Sequence, residues 1–160
     1  MRPDDLDTVE RIAALVHPAY PESAAVPRER LALFAEGCFM AEDAAETAVG
    51  YAVAHPGLLG APPALDTLLG RLPEAADCLY LHDVAMLSLA RRGGFGRALL
   101  GILGAAAARH GLRHLALVAV NNSAPYWRRH GFADRVDPDG ALAADLASYG
   151  GDAAYLVARL

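Results

Sequence analysis

Residues 91–102, Arg-Arg-Gly-Gly-Phe-Gly-Arg-Ala-Leu-Leu-Gly-Ile, carry the clearest chemical signal in the chain. They follow an apolar run, 79–87, that reads as a buried strand, and they open an amphipathic pattern with Phe95, Leu99, Ile102, Leu103, Ala106 and Ala107 on one face. A strand, a glycine- and arginine-rich turn and a helix in that order make a site for a diphosphate. Glycines let backbone N–H groups approach the oxygens, the helix N-terminus adds partial positive charge, and arginines add whole ones.

Three kinds of phosphate site compete for this turn. A Walker-type loop needs a lysine followed by Ser or Thr after its second glycine, and neither is present. A dinucleotide fingerprint needs a third glycine and an acidic residue about 20 residues on. Here Arg97-Ala98-Leu99 follows Gly96, and the next strand ends in asparagines. The third reading is coenzyme A. A glycine turn that binds nothing remains open, although three arginines stand within seven residues.

Two segments carry a resemblance to one family. The run Arg91-Arg92-Gly93-Gly94-Phe95-Gly96 resembles the (Gln/Arg)-x-x-Gly-x-(Gly/Ala) motif of the GCN5-related N-acetyltransferases, the GNAT superfamily. The stretch from Asn121 through Ala124, Tyr126 and Trp127 to Gly131-Phe132 resembles that family's Asn-x-x-Ala…(aromatic)-Tyr-x-x-x-Gly-Phe segment. Two motifs in the right order around a strand are far more specific than either alone. The likeness extends along nearly the whole chain, loosely closest to arylalkylamine N-acetyltransferase-like members. It implies one domain, 1–160, with the family's first strand nearly absent.

The resemblance implies an α+β fold, with a mixed, mostly antiparallel sheet of six or seven strands and about four helices. The fourth family strand would carry a bulge and splay from the fifth, opening a slot for the pantetheine arm of acetyl-CoA. The matching backbone positions are Val84, Ala85 and Met86. The diphosphate would rest on Arg91, Arg92, Gly93, Gly94, Phe95, Gly96 and Arg97, and Asn121 or Asn122 would contact the cofactor beyond the next strand. Both asparagines also read as turn residues, and Ser123 as a helix cap.

Acetyl transfer to an amine needs a base, a polarised thioester carbonyl and help for the departing thiolate. His82 is the candidate base, since imidazole titrates near neutrality. It shares a strand side with Tyr80, while strand alternation points Asp83 to the other face as a structural residue. The bland alternative for His82 is a buried histidine satisfied by a neighbour. The family's acidic tyrosine is replaced by Trp127, whose indole N–H is no acid. Tyr126 is then the candidate acid or a core aromatic. The acceptor walls would come from His17, Tyr20, Glu22 and Tyr80. Beside a small-molecule amine transferase stand two alternatives: a catalytically weak acyl-CoA-binding module, and an acetyltransferase of protein N-termini or lysines.

The elements that must position these groups read as follows. A helix runs from Leu6 to a stop at Pro18, and a second starts at Pro27. Strands are expected at 38–41, 48–55, 79–87 and 115–120, with a short helix near 65–70 inside the long loop 56–77. Helices follow at 95–110 and 124–130, with final antiparallel strands near 132–136 and 153–160 across an Ala-rich segment.

With 160 residues, 54% hydrophobic and 21% charged, the chain suits a packed globule. A net charge of −5 argues against nucleic acid as the partner and suits a cationic small molecule. No apolar run approaches the ~18 residues that span a bilayer, and the start is no signal peptide, so a cytoplasmic protein without a membrane partner is expected. Cys38 and Cys78 read as buried hydrophobes and no metal motif is present. Homodimers are common in the family, and a truncated first strand leaves an edge that one could cover.

Overall fold

The computed structural model describes residues 1–90, 94–135 and 140–160. Arg91, Arg92 and Gly93, three of the expected cofactor contacts, and Val136 of the expected strand lie outside the described residues. Helix α1 spans Leu6–Val16 and α2 spans Ala25–Leu33. Strands β1 (Cys38–Glu42), β2 (Ala48–Gly57) and β3 (Cys78–Met86) precede α3 (Phe95–Arg109). Then come β4 (His114–Ala119), α4 (Ala124–Arg129), β5 (Ala133–Asp134), α5 (Ala141–Leu146) and β6 (Ala154–Arg159).

One six-stranded sheet has the order β1-β2-β3-β4-β6-β5. Every neighbouring pair is antiparallel except β3 with β4, which α3 connects as a parallel crossover. The fold is α+β, and five α-helices are described where about four were expected.

Period-two alternation along β2 explains why both faces are covered. Tyr51 and Val53 join Leu6, Val9 and Ile12 of α1 and Leu31 of α2 in one cluster. Ala54 joins the other, with Leu79, Leu81, Leu115 and Leu117 of the sheet and Leu103, Ala106 and Ala107 of α3. α1 reaches its cluster because its apolar residues fall three apart on one stripe. Cys38 and Cys78 are buried free thiols, and burial raises them to about 11 and about 12.

The 65–70 segment forms no helix. Its backbone groups are satisfied from elsewhere: the Leu69 and Gly70 amides donate to Glu29, the Asp66 amide to Glu22, and the Thr67 carbonyl accepts from Arg30. Asp66 adopts φ +55°, outside helical range. Side chains of the α2 region thus override the local helical pattern.

Two irregularities in β3 set up the site. Val53 pairs with Asp83 but Ala54 with Leu81, so His82 is an extra residue, a β-bulge. Pairing of β3 with β4 runs only from Leu79↔Leu115 to Leu81↔Leu117. Beyond the bulge the two strands part.

Candidate active site

A cavity of about 1000 Å³ opens where β3 and β4 separate. His82, Asp83, Val84 and Met86 of β3 line it, with Val118 and Asn121 at the end of β4, Phe95 and Gly96 of α3, and His17, Tyr20 and Glu22 from the chain after α1.

The bulge overturns one expectation at once. With an extra residue in the strand, alternation fails, and His82 and Asp83 both reach the loop between α1 and α2. His82 Nε2 lies 2.9 Å from Glu22 Oε2, and the imidazole is almost fully buried. A carboxylate only accepts, so this contact places the proton on Nε2 and leaves the Nδ1 lone pair free. Nδ1 is buried and has no hydrogen-bond partner among the described residues. Glu22 is fixed in turn by the Asp66 amide at 2.9 Å.

Asp83 makes a second pair. One of its oxygens stands 3.3 Å from His17 Nε2, and the other accepts the Tyr51 hydroxyl. Burial, reinforced by the Asp83 charge, pushes the Tyr51 phenol far up, so it stays protonated and donates. His17 Nε2 is also 3.2 Å from the Val84 carbonyl, and its Nδ1 is 3.1 Å from the Asn121 side-chain nitrogen.

Asn121 and Asn122 take consecutive left-handed conformations, φ 54° and 55°, which asparagine tolerates better than most residues. The Asn122 amide donates to Asp152 at 3.3 Å, and the Tyr20 hydroxyl donates to the same carboxylate at 3.3 Å. Burial and then Asp152 raise the Tyr20 phenol. Ser123 occupies the N-cap position of α4 without a side-chain cap bond. Its carbonyl instead accepts the amides of Tyr126 and Trp127.

At the other end of the cavity Gly94 caps α3 with φ +75°, a conformation glycine adopts freely. Gly94 and Arg97 are exposed, while Phe95 and Gly96 are half-buried. The Tyr126 hydroxyl sits where a Cβ at Gly96 would be. Trp127 is turned into the core, with its ring edge-on to Phe132 at 5.5 Å.

Two expected site residues lie elsewhere. Tyr80 is buried and lines a second, smaller cavity of about 510 Å³ beneath the 58–74 loop, and Ala85 is buried in the α1–α2 cluster. The Ala85 side chain is core, so the role implied for it is a backbone one. Sequence reasoning missed Tyr51, Asp83 as a site group, Asp152 and Tyr149. No local pattern announces the first three, because each enters through a partner 30 or more residues away. Among the described residues no group of three or more His, Cys, Asp or Glu could hold a metal ion, and no helix is long and apolar enough to cross a membrane.

The sequence model of the Acetyltransferase (GNAT) family matches residues 7–132. The chain belongs to the GNAT acetyltransferase family. Solved structures repeat this GNAT fold at low identity. GphF, a GNAT-like decarboxylase in complex with isobutyryl-CoA, superposes with TM-score 0.75 at 20% identity, covering 99% of this chain and 96% of that one. The NatC complex bound to Gag peptide and CoA gives 0.71 at 18%, covering 99% and 92%. The ribosomal-protein-S18-alanine N-acetyltransferase from Escherichia coli gives 0.61 at 18%, covering 99% and 90%. At these identities the likeness establishes the fold. No curated protein matches the sequence. The GNAT match ends at Phe132, so it includes both motif segments and the bulged strand.

Proposed function

We propose that this chain is an acetyl-CoA-dependent N-acetyltransferase acting on a primary amine of a small molecule, with residues 1–160 forming one transferase domain. The observation that carries the proposal is the His82–Glu22 pair on the bulge at the cavity wall, with Nδ1 buried and without a hydrogen-bond partner among the described residues. An amine bound there supplies the missing partner and gives up its proton to Nδ1.

Where β3 parts from β4 past Leu81, the strand suits a pantetheine arm, which would bond to backbone at Val84, Ala85 and Met86 as an added strand. Phosphates suit the α3 N-terminus at Gly94, Phe95, Gly96 and Arg97. Acetyl-CoA supplies the activated acyl group, and neighbours holding CoA or isobutyryl-CoA support that choice.

A small acceptor is favoured over a polypeptide because the acceptor end is roofed. The 58–77 loop is tied to the α1–α2 loop by Asp66 with Glu22 and Ser23, and to the 148–149 turn by Ser148 with Leu65 and Tyr149 with Pro63. Among the described residues Glu22 and Asp83 line the cavity and no arginine does, which favours a cationic amine.

A thiol-release assay over arylalkylamines, polyamines, aminoglycosides and peptide N-termini tests this. Turnover is expected on small amines; turnover on peptides alone, or on nothing, overturns it. The burial of Trp127 at the family's tyrosine position favours a second reading, an acyl-CoA-binding module. That reading predicts a rise in melting temperature with acetyl-CoA and no turnover at all.

A further inference from the structure

Two imidazoles stand on carboxylates at the bulge, and the transfer proposed above uses only one of them. His17, at the C-terminal end of α1, contacts the Asp83 carboxylate and the Val84 carbonyl through Nε2, at 3.3 and 3.2 Å. Both partners only accept, so Nε2 keeps its proton and Nδ1 is the nitrogen that gains or loses one. Nδ1 faces the Asn121 amide at 3.1 Å, and that group can present either its nitrogen to a neutral ring or its oxygen to a protonated one.

The ring therefore bridges β3 at Val84 and β4 at Asn121, across the gap where these strands no longer pair. Tyr126 and Trp127 of α4 line the same cavity, with the Trp127 ring packed against Phe132 and the Tyr126 hydroxyl over Gly96.

We propose that His17, oriented by Asp83 and the Val84 carbonyl, is the proton donor to the departing CoA thiolate. This rests on the transferase reading. The amine nitrogen forms its bond to the acetyl carbonyl carbon as one of its protons passes to His82 Nδ1. The C–S bond breaks, its electron pair stays on sulfur, and the Nδ1 proton of protonated His17 moves to that sulfur. The products are an acetamide and a free thiol, with His82 protonated and His17 neutral. Return of one proton from His82 to His17 through solvent resets the pair.

Among the described residues the titratable groups facing His17 include Asp83 on β3, Tyr51 on β2 through that carboxylate, and Tyr20 with Asp152 near Asn121; Glu22 is engaged by His82. The test is His17→Gln. Expected are a fall in kcat of about 100-fold with KM for both substrates within about threefold, and loss of the alkaline limb of the kcat profile. A second readout needs no turnover: CoA thiolate formation on the enzyme, followed by ultraviolet absorbance. An imidazolium beside sulfur favours the thiolate, so the bound thiol should ionise at lower pH in the parent protein than in His17→Gln. An unchanged alkaline limb, or identical thiol titrations, overturns the assignment. Should His17→Gln fail to fold, Asp83→Asn keeps the ring but removes its counter-charge, and must move the alkaline limb to lower pH. Absence of turnover by the parent protein on every amine overturns the transferase reading instead, and the thiol titration still decides on His17.

Discussion

The hydroxyl of Tyr126 lies over the α-carbon of Gly96, in the space that any side chain at position 96 would need. This contact ties α4 to the first turn of α3, so the two motif segments meet through one aromatic ring and one missing side chain.

Gly96→Ala should therefore destabilise the protein by about 1–3 kcal/mol, the usual cost of overpacking. It should also weaken acetyl-CoA binding, since the α3 N-terminus must shift. Adding Tyr126→Phe removes the clashing oxygen and should recover most of the loss, as a double-mutant cycle by urea denaturation will show. Tyr126→Phe alone should leave kcat within about threefold, whereas a general acid at this position would cost about 100-fold or more.

His82→Gln should lower kcat by about 100- to 1000-fold and remove the acidic limb of the kcat profile, because glutamine cannot accept the amine proton. Glu22→Gln keeps a hydrogen bond to Nε2 but loses the charge that stabilises a protonated ring. A smaller fall, about 10-fold, is expected there. Steady-state kinetics across pH separate the two.

Arg30 has no exposed surface, pairs with Glu29 and donates to the Thr67 carbonyl at 2.7 Å. Burial lowers its pKa, opposed by the Glu29 charge. Arg30→Ala removes the donor to the Thr67 carbonyl and the counter-charge of Glu29, and should cost about 3–5 kcal/mol. Because Glu29 also holds the Leu69 and Gly70 amides, the 58–77 loop should become the first site of protease cleavage. Cleavage elsewhere first would show that the pair does not anchor this loop.

His55 is only 2% exposed, and burial pushes its pKa down to about 4. Between that value and an unfolded value near 6.5 the unfolded chain binds a proton that the folded chain refuses. Stability from the neutral ring is thus complete above about pH 6.5 and lost as pH falls toward 4, up to roughly 3 kcal/mol. His55→Gln should flatten the fall in denaturation midpoint over that window. An unchanged slope would assign the acid sensitivity to other groups.

The sequence by itself determined the linear grammar of this protein. Apolar spacing set α1 at Leu6–Val16, glycine set the start and end of α3, and alternating runs set β2 and β3 within one or two residues. These are local properties, dictated by backbone geometry and by which side chains water rejects. The same locality made the start of α3 legible, because Gly94 and the amphipathic pattern that follows it are neighbours in the chain.

What only tertiary structure decided is which groups face one another. A single extra residue at His82 reversed the expected direction of Asp83; the family resemblance implied a bulge in this strand, but no residue type fixes its place. Tyr80 shares a strand with His82 yet lines a different cavity, because the bulge between them breaks the period on which the expectation rested. Segment 65–70 lost its helix to side chains of Glu22, Glu29 and Arg30, some 40 residues away in sequence. Such contacts form only when folding pays the entropy of closing long loops, so their energy is invisible to any local window of the chain.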